Sequence, residues 1–241
     1  MLNNWRKIIQ HTLLPFRCLL CGGPAAGMDL CPGCVRDLPW NRRPCPLCAA
    51  PARGPHVCGR CLRRPPRWHR AFAPLVYRFP VDRLVARYKY SGDPVAGRVL
   101  ADVVAGAAIR RASSPNRPPE CLVPVPLHPD RARERGFDQA EDIARRLGRQ
   151  VGIPVRHGLL ERVRPTRPQA SLPAAARRRN LRGAFRVAGV HVPKRLILVD
   201  DVLTTGATTA AAAAAMRRAG ARDVEIWCVA RAGAQRYGAN V

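Results

Sequence analysis

The cysteines constrain this chain more than any other feature, because eight of the ten occur as four C-x2-C pairs in the first third of the sequence. The pattern C-x2-C-x9-C-x2-C occurs twice, and the second copy begins 27 residues after the first. The pairs are Cys18 and Cys21, Cys31 and Cys34, Cys45 and Cys48, and Cys58 and Cys61. A repeat of this length predicts two copies of one small module.

The spacing within each copy is typical of a zinc ribbon. Two thiolates three residues apart can bind one Zn2+ from a tight turn, and two such turns complete a tetrahedral shell with bonds of about 2.3 Å. So short a module cannot fold by hydrophobic burial alone, so the metal supplies free energy of folding. We therefore predict two structural Zn2+ sites, each bound by the four cysteines of one copy. A ribbon that loses its metal should leave the rest of the chain largely intact.

Two other arrangements of the cysteines are open at this point. In a cross-braced arrangement, the first pair would share a metal with the third pair, and the second with the fourth. A disulfide framework is disfavoured, because the N-terminal segment 1–14 is a poor signal peptide and the expected compartment is reducing. This segment is better interpreted as a short amphipathic helix.

Charge and composition exclude several classes of protein. The net charge is +26, and 47% of the residues are apolar, which is enough to fill a core. The three lysines, Lys7, Lys89 and Lys194, do not follow a glycine, which excludes a P-loop NTPase. No uncharged apolar stretch is long enough for a transmembrane helix. The excess of arginine favours polyanionic partners.

From about residue 70 onwards, short apolar strands alternate with helical segments, which predicts a parallel α/β sheet. The predicted strands are Ala71–Phe79, Cys121–Val125, Leu196–Val199 and Val224–Ala230. The predicted helices are Val81–Tyr90, Pro94–Arg110, a segment from Phe137 to about Gly148, and Ala207–Ala219. We divide the chain into residues 1–69, with an N-terminal helix and a double zinc ribbon, and residues 70–241, with the α/β domain. Cys121 and Cys228 are predicted to be buried as small apolar residues.

The segment expected to carry chemistry follows the strand Leu196–Val199. Asp200 and Asp201 come directly after it, and ligands of an open α/β sheet bind beyond the carboxyl ends of the strands. A loop of small residues then opens a helix whose free N–H groups favour an anion. We expect the carboxylates to accept hydrogen bonds from vicinal sugar hydroxyls, and the loop to bind a phosphate. The motif offers the two acids no evident basic partner.

The segment Val199–Thr208 resembles the signature of type I phosphoribosyltransferases, which bind phosphoribosyl pyrophosphate (PRPP). Three further regions, together with the cysteine repeat, resemble the ComF family of bacterial competence proteins over nearly the whole chain. These regions are Val123–His128 with Arg135–Ala140, Thr166–Phe185, and Tyr88–Tyr90 with Gly92 and Asp93. One departure is Asp138, where Asn is expected. A carboxylate there would repel pyrophosphate unless it caps a helix or joins a Mg2+ site.

The resemblance implies a type I phosphoribosyltransferase-like fold and a role for each site residue. Asp200 and Asp201 are the implied catalytic residues and would hold the ribose 2′ and 3′ hydroxyls. Arg135 and Lys89 are candidate cations for the pyrophosphate, although solvated surface positions are the alternative for both. Mg2+ would bridge the hydroxyls and the pyrophosphate of PRPP. The residues that would bind the 5′-phosphate are Thr204, Thr205, Gly206, Ala207 and Thr208.

In phosphoribosyl transfer, the acceptor base attacks C1 of PRPP through an oxocarbenium-like state. Catalysis is then positioning and stabilisation of charge, and the protein need not supply a nucleophile. The arginine-rich segment Arg162–Arg182 corresponds to a mobile hood over such a site. A solvated basic loop is the alternative interpretation of that segment.

Two functions of different class fit this interpretation of the sequence. We favour a PRPP-binding protein that handles or imports single-stranded DNA during natural transformation. The alternative is an active phosphoribosyltransferase, a glycosyltransferase of nucleotide metabolism that moves phosphoribose to an acceptor the sequence does not identify. A PRPP-sensing transcription regulator would need a helix-turn-helix, and we find no such pattern.

The expected partners are PRPP and single-stranded DNA, and the resemblance adds a DNA-uptake helicase or another part of the competence machinery. It also implies a cytoplasmic location at the inner face of the membrane, with membrane contact at most peripheral. Trp40 and Trp68 lie near the ribbons in sequence and could stack on bases. Packing on the ribbon core is the interpretation that we favour for both.

Overall fold

The computed structural model describes residues 16–52, 54, 56–111, 118–164, 181, 183–189 and 191–233. The predicted N-terminal helix and most of the arginine-rich segment lie outside this part of the chain. The described helices are Pro32–Arg36 (α1), Gly59–Arg63 (α2), Val81–Ser91 (α3), Pro94–Arg111 (α4), Pro129–Arg135 (α5), Gln139–Val151 (α6) and Ala207–Arg218 (α7). The described strands are Arg70–Phe72 (β1), Leu75–Val76 (β2), Cys121–Pro124 (β3), Leu160–Arg162 (β4), Phe185–Val187 (β5), Arg195–Leu203 (β6) and Asp223–Arg231 (β7).

The central sheet has the strand order β1-β7-β6-β3, and β2 also pairs with β7. All of these pairings are parallel. The predicted parallel α/β sheet is therefore confirmed. A separate antiparallel pair, β4 with β5, lies on either side of the arginine-rich segment along the chain.

The sheet is covered on both faces, which explains why its inner strands read as continuous apolar runs. Successive residues of β6 contribute to two different cores. Ile197 and Val199 pack with α3, α4 and α6, whereas Leu196 and Leu198 pack with α7. Cys121 and Cys228 are buried in the second core, as predicted. None of the described helices is both long and apolar enough to cross a membrane.

Three predicted boundaries are wrong. The strand Ala71–Phe79 is instead two short strands, and Tyr77 and Phe79 at its end are exposed. Gly148 does not end α6, because the helix continues to Val151 and stops at Gly152, which has φ of 73°. Gly148 instead packs so closely against the following turn that a Cβ atom would lie 2.7 Å from a backbone oxygen.

The third difference concerns β6, which extends to Leu203 and contains both carboxylates. Asp200 lies opposite Cys228 of β7, and Val202 lies opposite Ala230. β6 thus stays paired with β7 through its polar residues. The acids are thus fixed on a strand and do not lie on the loop after it. Helix α5 was not predicted, although His128 caps it and Pro129 occupies its first turn.

Candidate functional site

The eight paired cysteines form two clusters that follow the sequence repeat. Cluster one contains the first four, and cluster two the last four, with all ligand atoms of a cluster within 4.8 Å of one another. The Sγ atoms of Cys21 and Cys31 are 3.7 Å apart, as are those of Cys48 and Cys58. Ligands on a tetrahedron with bonds of about 2.3 Å would be about 3.8 Å apart. The clusters therefore fit two structural zinc sites, and the cross-braced alternative is wrong.

The two clusters are built by the same backbone turn. In each, the first cysteine accepts a hydrogen bond at 2.8 Å from the amide four residues later, on Gly22 in one copy and Ala49 in the other. Both of these residues have positive φ, 71° and 53°. The turn requires a left-handed residue, which costs alanine more than glycine. Backbone amides also donate to the thiols, from Cys34 to Cys31 and from Cys58 to Cys45, each at 3.4 Å.

The carboxylate pair does have a basic partner, which corrects the sequence-based expectation. The Nζ atom of Lys89, on α3, lies 2.6 Å from Oδ2 of Asp201 on β6. Burial alone would lower the pKa of Lys89, but the charges of Asp201 and Asp200 raise it overall. The fold therefore brings together three of the predicted site residues, and the lysine is held in its charged form.

Asp200 lies beside this ion pair without a cation of its own at contact distance among the interactions described. Burial raises the pKa of its carboxyl group, and the neighbouring charge of Asp201 raises it further. Arg162, at the end of β4, also interacts electrostatically with Asp200, and its guanidinium lies 5.6 Å from the centre of the Phe185 ring. Arg162 was predicted only as one boundary of a basic segment, because nothing in the sequence distinguishes it from the other arginines.

Lys89 is aimed by the corner between α3 and α4. Tyr88 points into the core, where it donates a hydrogen bond to Asp142 at 2.8 Å and fills the space above Gly97. Gly92 ends α3 with φ of 62°. The carboxylate of Asp93 then accepts hydrogen bonds from the first amides of α4 at 2.9 and 3.2 Å. The sequence motif Tyr88–Asp93 is thus a rigid corner that presents one lysine to the sheet edge.

The loop of residues 203–206 joins β6 to α7 and turns at Gly206, which has φ of 78°. Its first three carbonyl oxygens accept hydrogen bonds from arginines. Arg231 donates to Leu203 and Thr204 at 2.8 and 2.6 Å, and Arg60 donates to Thr205 at 3.1 Å. The C=O and N–H of one peptide point in opposite directions. The next three N–H groups, of residues 204–206, therefore face the other side, and they make no hydrogen bond within the part of the chain that the structure describes.

Asp138 caps α6. Its carboxylate accepts hydrogen bonds from the amides of Ala140 and Glu141 at 3.0 and 3.3 Å, and from that of Leu127 at 2.7 Å. Burial raises its pKa, and the three amides oppose that shift. Of the two roles considered for this carboxylate, helix capping is the one that the structure shows.

Arg135 lies at the end of α5, where its guanidinium donates to the side chain of Gln139 at 2.8 Å. It also lies 5.7 Å from the centre of the Tyr90 ring. Tyr90 follows Lys89 in sequence, so the two candidate cations are on neighbouring elements. The described contacts of Arg135 do not include the carboxylate pair.

The two tryptophans near the ribbons pack within the protein, as we favoured. Trp68 is buried, and its Nε1 donates to the carbonyl of Leu47 at 2.6 Å. Its ring lies so close to the backbone of Gly206 that a Cβ atom there would be 2.8 Å away. Trp40 is half-buried and donates to Val35 at 2.9 Å. The ring of Trp68 is therefore enclosed by the protein, and that of Trp40 is partly covered.

Known proteins are similar to this chain both in its ribbons and in its α/β part. Residues 9–62 match the double zinc ribbon domain. The chain is 33% identical over 227 residues to "Competence protein F" of Haemophilus influenzae, covering 90% of this chain and 97% of that protein. It is 35% identical over 226 residues to "DNA utilization protein YhgH" of Salmonella typhi, covering 90% and 98%.

A further relative, "Competence protein ComFC" of Streptococcus pneumoniae, is 29% identical over 163 residues, which cover 68% of each chain. The similarity to the first two proteins spans almost the full length of both partners, so it includes the ribbons and the α/β sheet together. With this extent of similarity, the chain belongs to the ComF family of competence proteins.

Proposed function

We propose that this protein is a competence protein that binds PRPP and handles single-stranded DNA during natural transformation. The observation that carries the PRPP part is the loop of residues 203–206, whose N–H groups are turned to one side beside a carboxylate pair. Consecutive free amides next to a helix start favour a phosphate. Ionised carboxylates are the acceptors that sugar hydroxyls need.

The distribution of charge supports a ligand that carries both hydroxyls and phosphates. Lys89 neutralises Asp201 in the unliganded protein, and its ammonium group is close enough to the carboxylates to reach a phosphate oxygen bound next to them. Arg135 would add a second cation on the same side. Magnesium would come with PRPP, because Mg2+ is usually bound by substrate phosphates and one or two carboxylates, and Asp200 and Asp201 fit that need.

Phosphoribosyl transfer is the second candidate activity, and the same residues would serve it. They would hold the ribose while an acceptor base attacks C1, and the cations would stabilise the departing pyrophosphate. Release of pyrophosphate from PRPP in the presence of a panel of bases is the measurement that separates a transferase from a binding protein.

The DNA part of the proposal is supported by the names of two relatives, a competence protein and a DNA utilization protein. It is also supported by a cavity of about 890 Å³ between the second ribbon and α7. Among the residues that the structure describes, its lining includes no acidic residue and five arginines: Arg60, Arg64, Arg67, Arg218 and Arg231. A cavity with this charge favours the phosphodiester backbone of a nucleic acid.

The PRPP proposal is tested by calorimetry with PRPP and Mg2+ on the Asp200→Asn and Asp201→Asn variants. A charged hydrogen bond contributes about 1.5–3 kcal/mol, so each substitution should weaken binding about tenfold or more at a pH above the raised pKa of Asp200. Asp37→Asn, at an exposed position on the first ribbon, is the matched control and should bind as the original protein does. Unchanged affinity in both site variants would contradict the proposal.

The DNA proposal is tested by titrating a single-stranded oligonucleotide at several salt concentrations. Replacing Arg64, Arg67 and Arg218 together with Gln should reduce the salt dependence of the binding constant by about two logarithmic units per decade, at about 0.7 per lost phosphate contact. A matched triple variant at Arg145, Arg149 and Arg156, on and after α6, should change it much less. Absence of binding at low salt would refute the DNA part.

A further inference from the structure

A buried arginine connects the second zinc ribbon with the loop of residues 203–206. Arg231 is the last residue of β7 and is only 3% exposed. Its Nε donates to the carbonyl of Cys48, a zinc ligand of cluster two, at 2.9 Å. Its Nη1 donates to the carbonyls of Leu203 and Thr204 at 2.8 and 2.6 Å. One guanidinium thus joins the backbone of a metal site to the backbone of the loop.

These hydrogen bonds need an arginine. A buried charge is costly unless its donors are paired, and only a guanidinium offers donors in a fixed planar fork. A lysine at this position would keep the charge but could not hold both sides in the same geometry. The position of the loop is therefore linked to the position of Cys48, which the metal fixes.

Two other residues of the second ribbon region contact the same loop. Arg60, on α2 between two zinc ligands of cluster two, donates to the carbonyl of Thr205 at 3.1 Å. Trp68 packs against Gly206 and is itself tied to Leu47 of the ribbon. Every residue of the loop thus has a contact with the second ribbon region or with Arg231.

The first ribbon has no comparable contact with the loop among the described residues. Its Asp29 pairs with Arg98 of α4 at 2.6 Å, and its apolar residues join the core around α3, α4 and α6. The two metal sites are alike in spacing, so the difference lies in what surrounds them. The first ribbon packs against the sheet and helices, and the second contacts the loop.

We infer that Arg231 is a positioning residue for the phosphate-binding loop, and that the zinc site of the second ribbon, and not that of the first, holds this loop in its binding conformation. By fixing three loop carbonyls on the ribbon side, Arg231 and Arg60 turn the following N–H groups toward the ligand. The inference rests on the proposed binding of PRPP. It adds that the 5′-phosphate end of the ligand depends on the second metal site.

The first experiment measures affinity for two fragments of PRPP, ribose 5-phosphate and pyrophosphate, in the Arg231→Lys variant. The loop would bind only the 5′-phosphate, so ribose 5-phosphate should bind about tenfold more weakly or worse while pyrophosphate binds as before. An equal loss for both fragments would mean general damage to the fold and would overturn the inference. So would unchanged binding of both. If the original protein binds neither PRPP nor ribose 5-phosphate, the proposed function itself fails.

The second experiment uses the repeat as its own control. Cys58→Ser and Cys31→Ser occupy the same position in the two copies, 27 residues apart. Cys58→Ser should weaken binding of ribose 5-phosphate about tenfold relative to binding of pyrophosphate, and Cys31→Ser should leave this ratio nearly unchanged. Equal effects of the two substitutions would contradict the assignment of the loop to one ribbon.

A third measurement needs no variant and therefore does not depend on folding of a mutant. Coupling between two sites is reciprocal. Ribose 5-phosphate should therefore raise the equilibrium affinity of cluster two for zinc, and not that of cluster one, so that more chelator is needed to empty cluster two at equilibrium, when the released cysteines are alkylated and mapped by mass spectrometry. Protection of both clusters, or of neither, would overturn the inference.

Discussion

The two zinc ribbons share one spacing and one turn, yet they are attached to the rest of the molecule in different ways. In the first, Leu30 and Leu38 are buried in the large core that includes α3, α4 and α6. In the second, the cysteines form a small apolar cluster of their own. That ribbon reaches the second core through Ala49 and the adjacent Trp68, and it reaches the loop of residues 203–206 through hydrogen bonds of Arg60 and Arg231. Metal ligands therefore determine the fold of such a module, whereas the residues between them determine its structural role.

Equivalent positions of the repeat show where the two copies diverge. Leu30 of the first ribbon corresponds to Val57 of the second, and Cys21 corresponds to Cys48. Leu30 is 1% exposed, whereas Val57 is half-buried beside its own zinc ligands. Conversely, Cys21 is exposed and Cys48 is buried. At these two positions, the first ribbon buries the apolar residue and exposes the cysteine, whereas the second buries the cysteine and leaves the apolar residue half-buried.

The largest expected effect comes from removal of the metal. The purified protein should contain close to two Zn2+ per chain and no disulfide among the paired cysteines. Binding of a structural zinc contributes about 10–16 kcal/mol to such modules. A chelator should remove the metal of the first ribbon sooner, because Cys21 is exposed and the second cluster is more buried. Metal analysis with mapping of the alkylated cysteines measures both. A single zinc per chain, or simultaneous release of both, would contradict the difference between the two ribbons.

The next effect concerns the apolar residues. Leu30→Ala should lower the free energy of unfolding of the whole molecule by about 2–5 kcal/mol, since it leaves a cavity in the main core. The matched change Val57→Ala should lower it by no more than about 1 kcal/mol, because Val57 is half-buried outside that core. Denaturant unfolding of both variants gives the answer. Similar losses would mean that the second ribbon is as firmly packed as the first.

The smallest effect comes from replacing an aspartate with asparagine, at Asp29 in the first ribbon or at Asp200 next to the loop that the second ribbon contacts. The two replacements should change the stability of the protein in opposite directions. Asp29→Asn breaks the ion pair with Arg98, so it should destabilise the protein by about 1 kcal/mol. Asp200→Asn removes a carboxylate whose pKa burial raises, so near neutral pH it should stabilise the unliganded protein by about 1 kcal/mol.

The pH dependence of unfolding tests the second of these statements. A carboxyl group with a raised pKa binds its proton more tightly in the folded state. Its contribution to stability is therefore full below about pH 4 and is lost as the pH rises through the folded pKa. The Asp200→Asn variant should lack this decline, and should match the original protein at acidic pH. A decline of equal slope in both proteins would show that another group is responsible.

Much of the architecture was predictable from local sequence. The cysteine repeat predicted both clusters and their membership, because ligand spacing is a property of a short segment. Apolar runs predicted the strands β3, β6 and β7, and small boundary errors arose where a glycine such as Gly148 serves close packing and not termination. The position of β2 was not predictable, since its pairing depends on a strand that comes much later in the chain.

The site was predictable in its parts and not in its connections. The carboxylates and the loop carry a recognisable local pattern. Their partners do not, because Lys89 reaches Asp201 from α3 and Arg231 reaches Cys48 across most of the chain. In a sequence with so many arginines, few local signals mark the ones that are buried. For Arg231 the signal is the apolar run Ile226–Ala230 that directly precedes it in β7.

The position of β7 has a consequence for the order in which the protein matures on the ribosome. It lies between β1 and β6 in the sheet, but it is the last of the described strands to be synthesised. At usual rates of translation, β7 follows the second ribbon by roughly 10–30 s. Until β7 is synthesised, β1 lacks its partner strand in the described sheet, and the carbonyl of Cys48 lacks its hydrogen bond from Arg231. A nascent chain can thus acquire both metals early and still lack a finished ligand site, which is completed only when β7 leaves the ribosome.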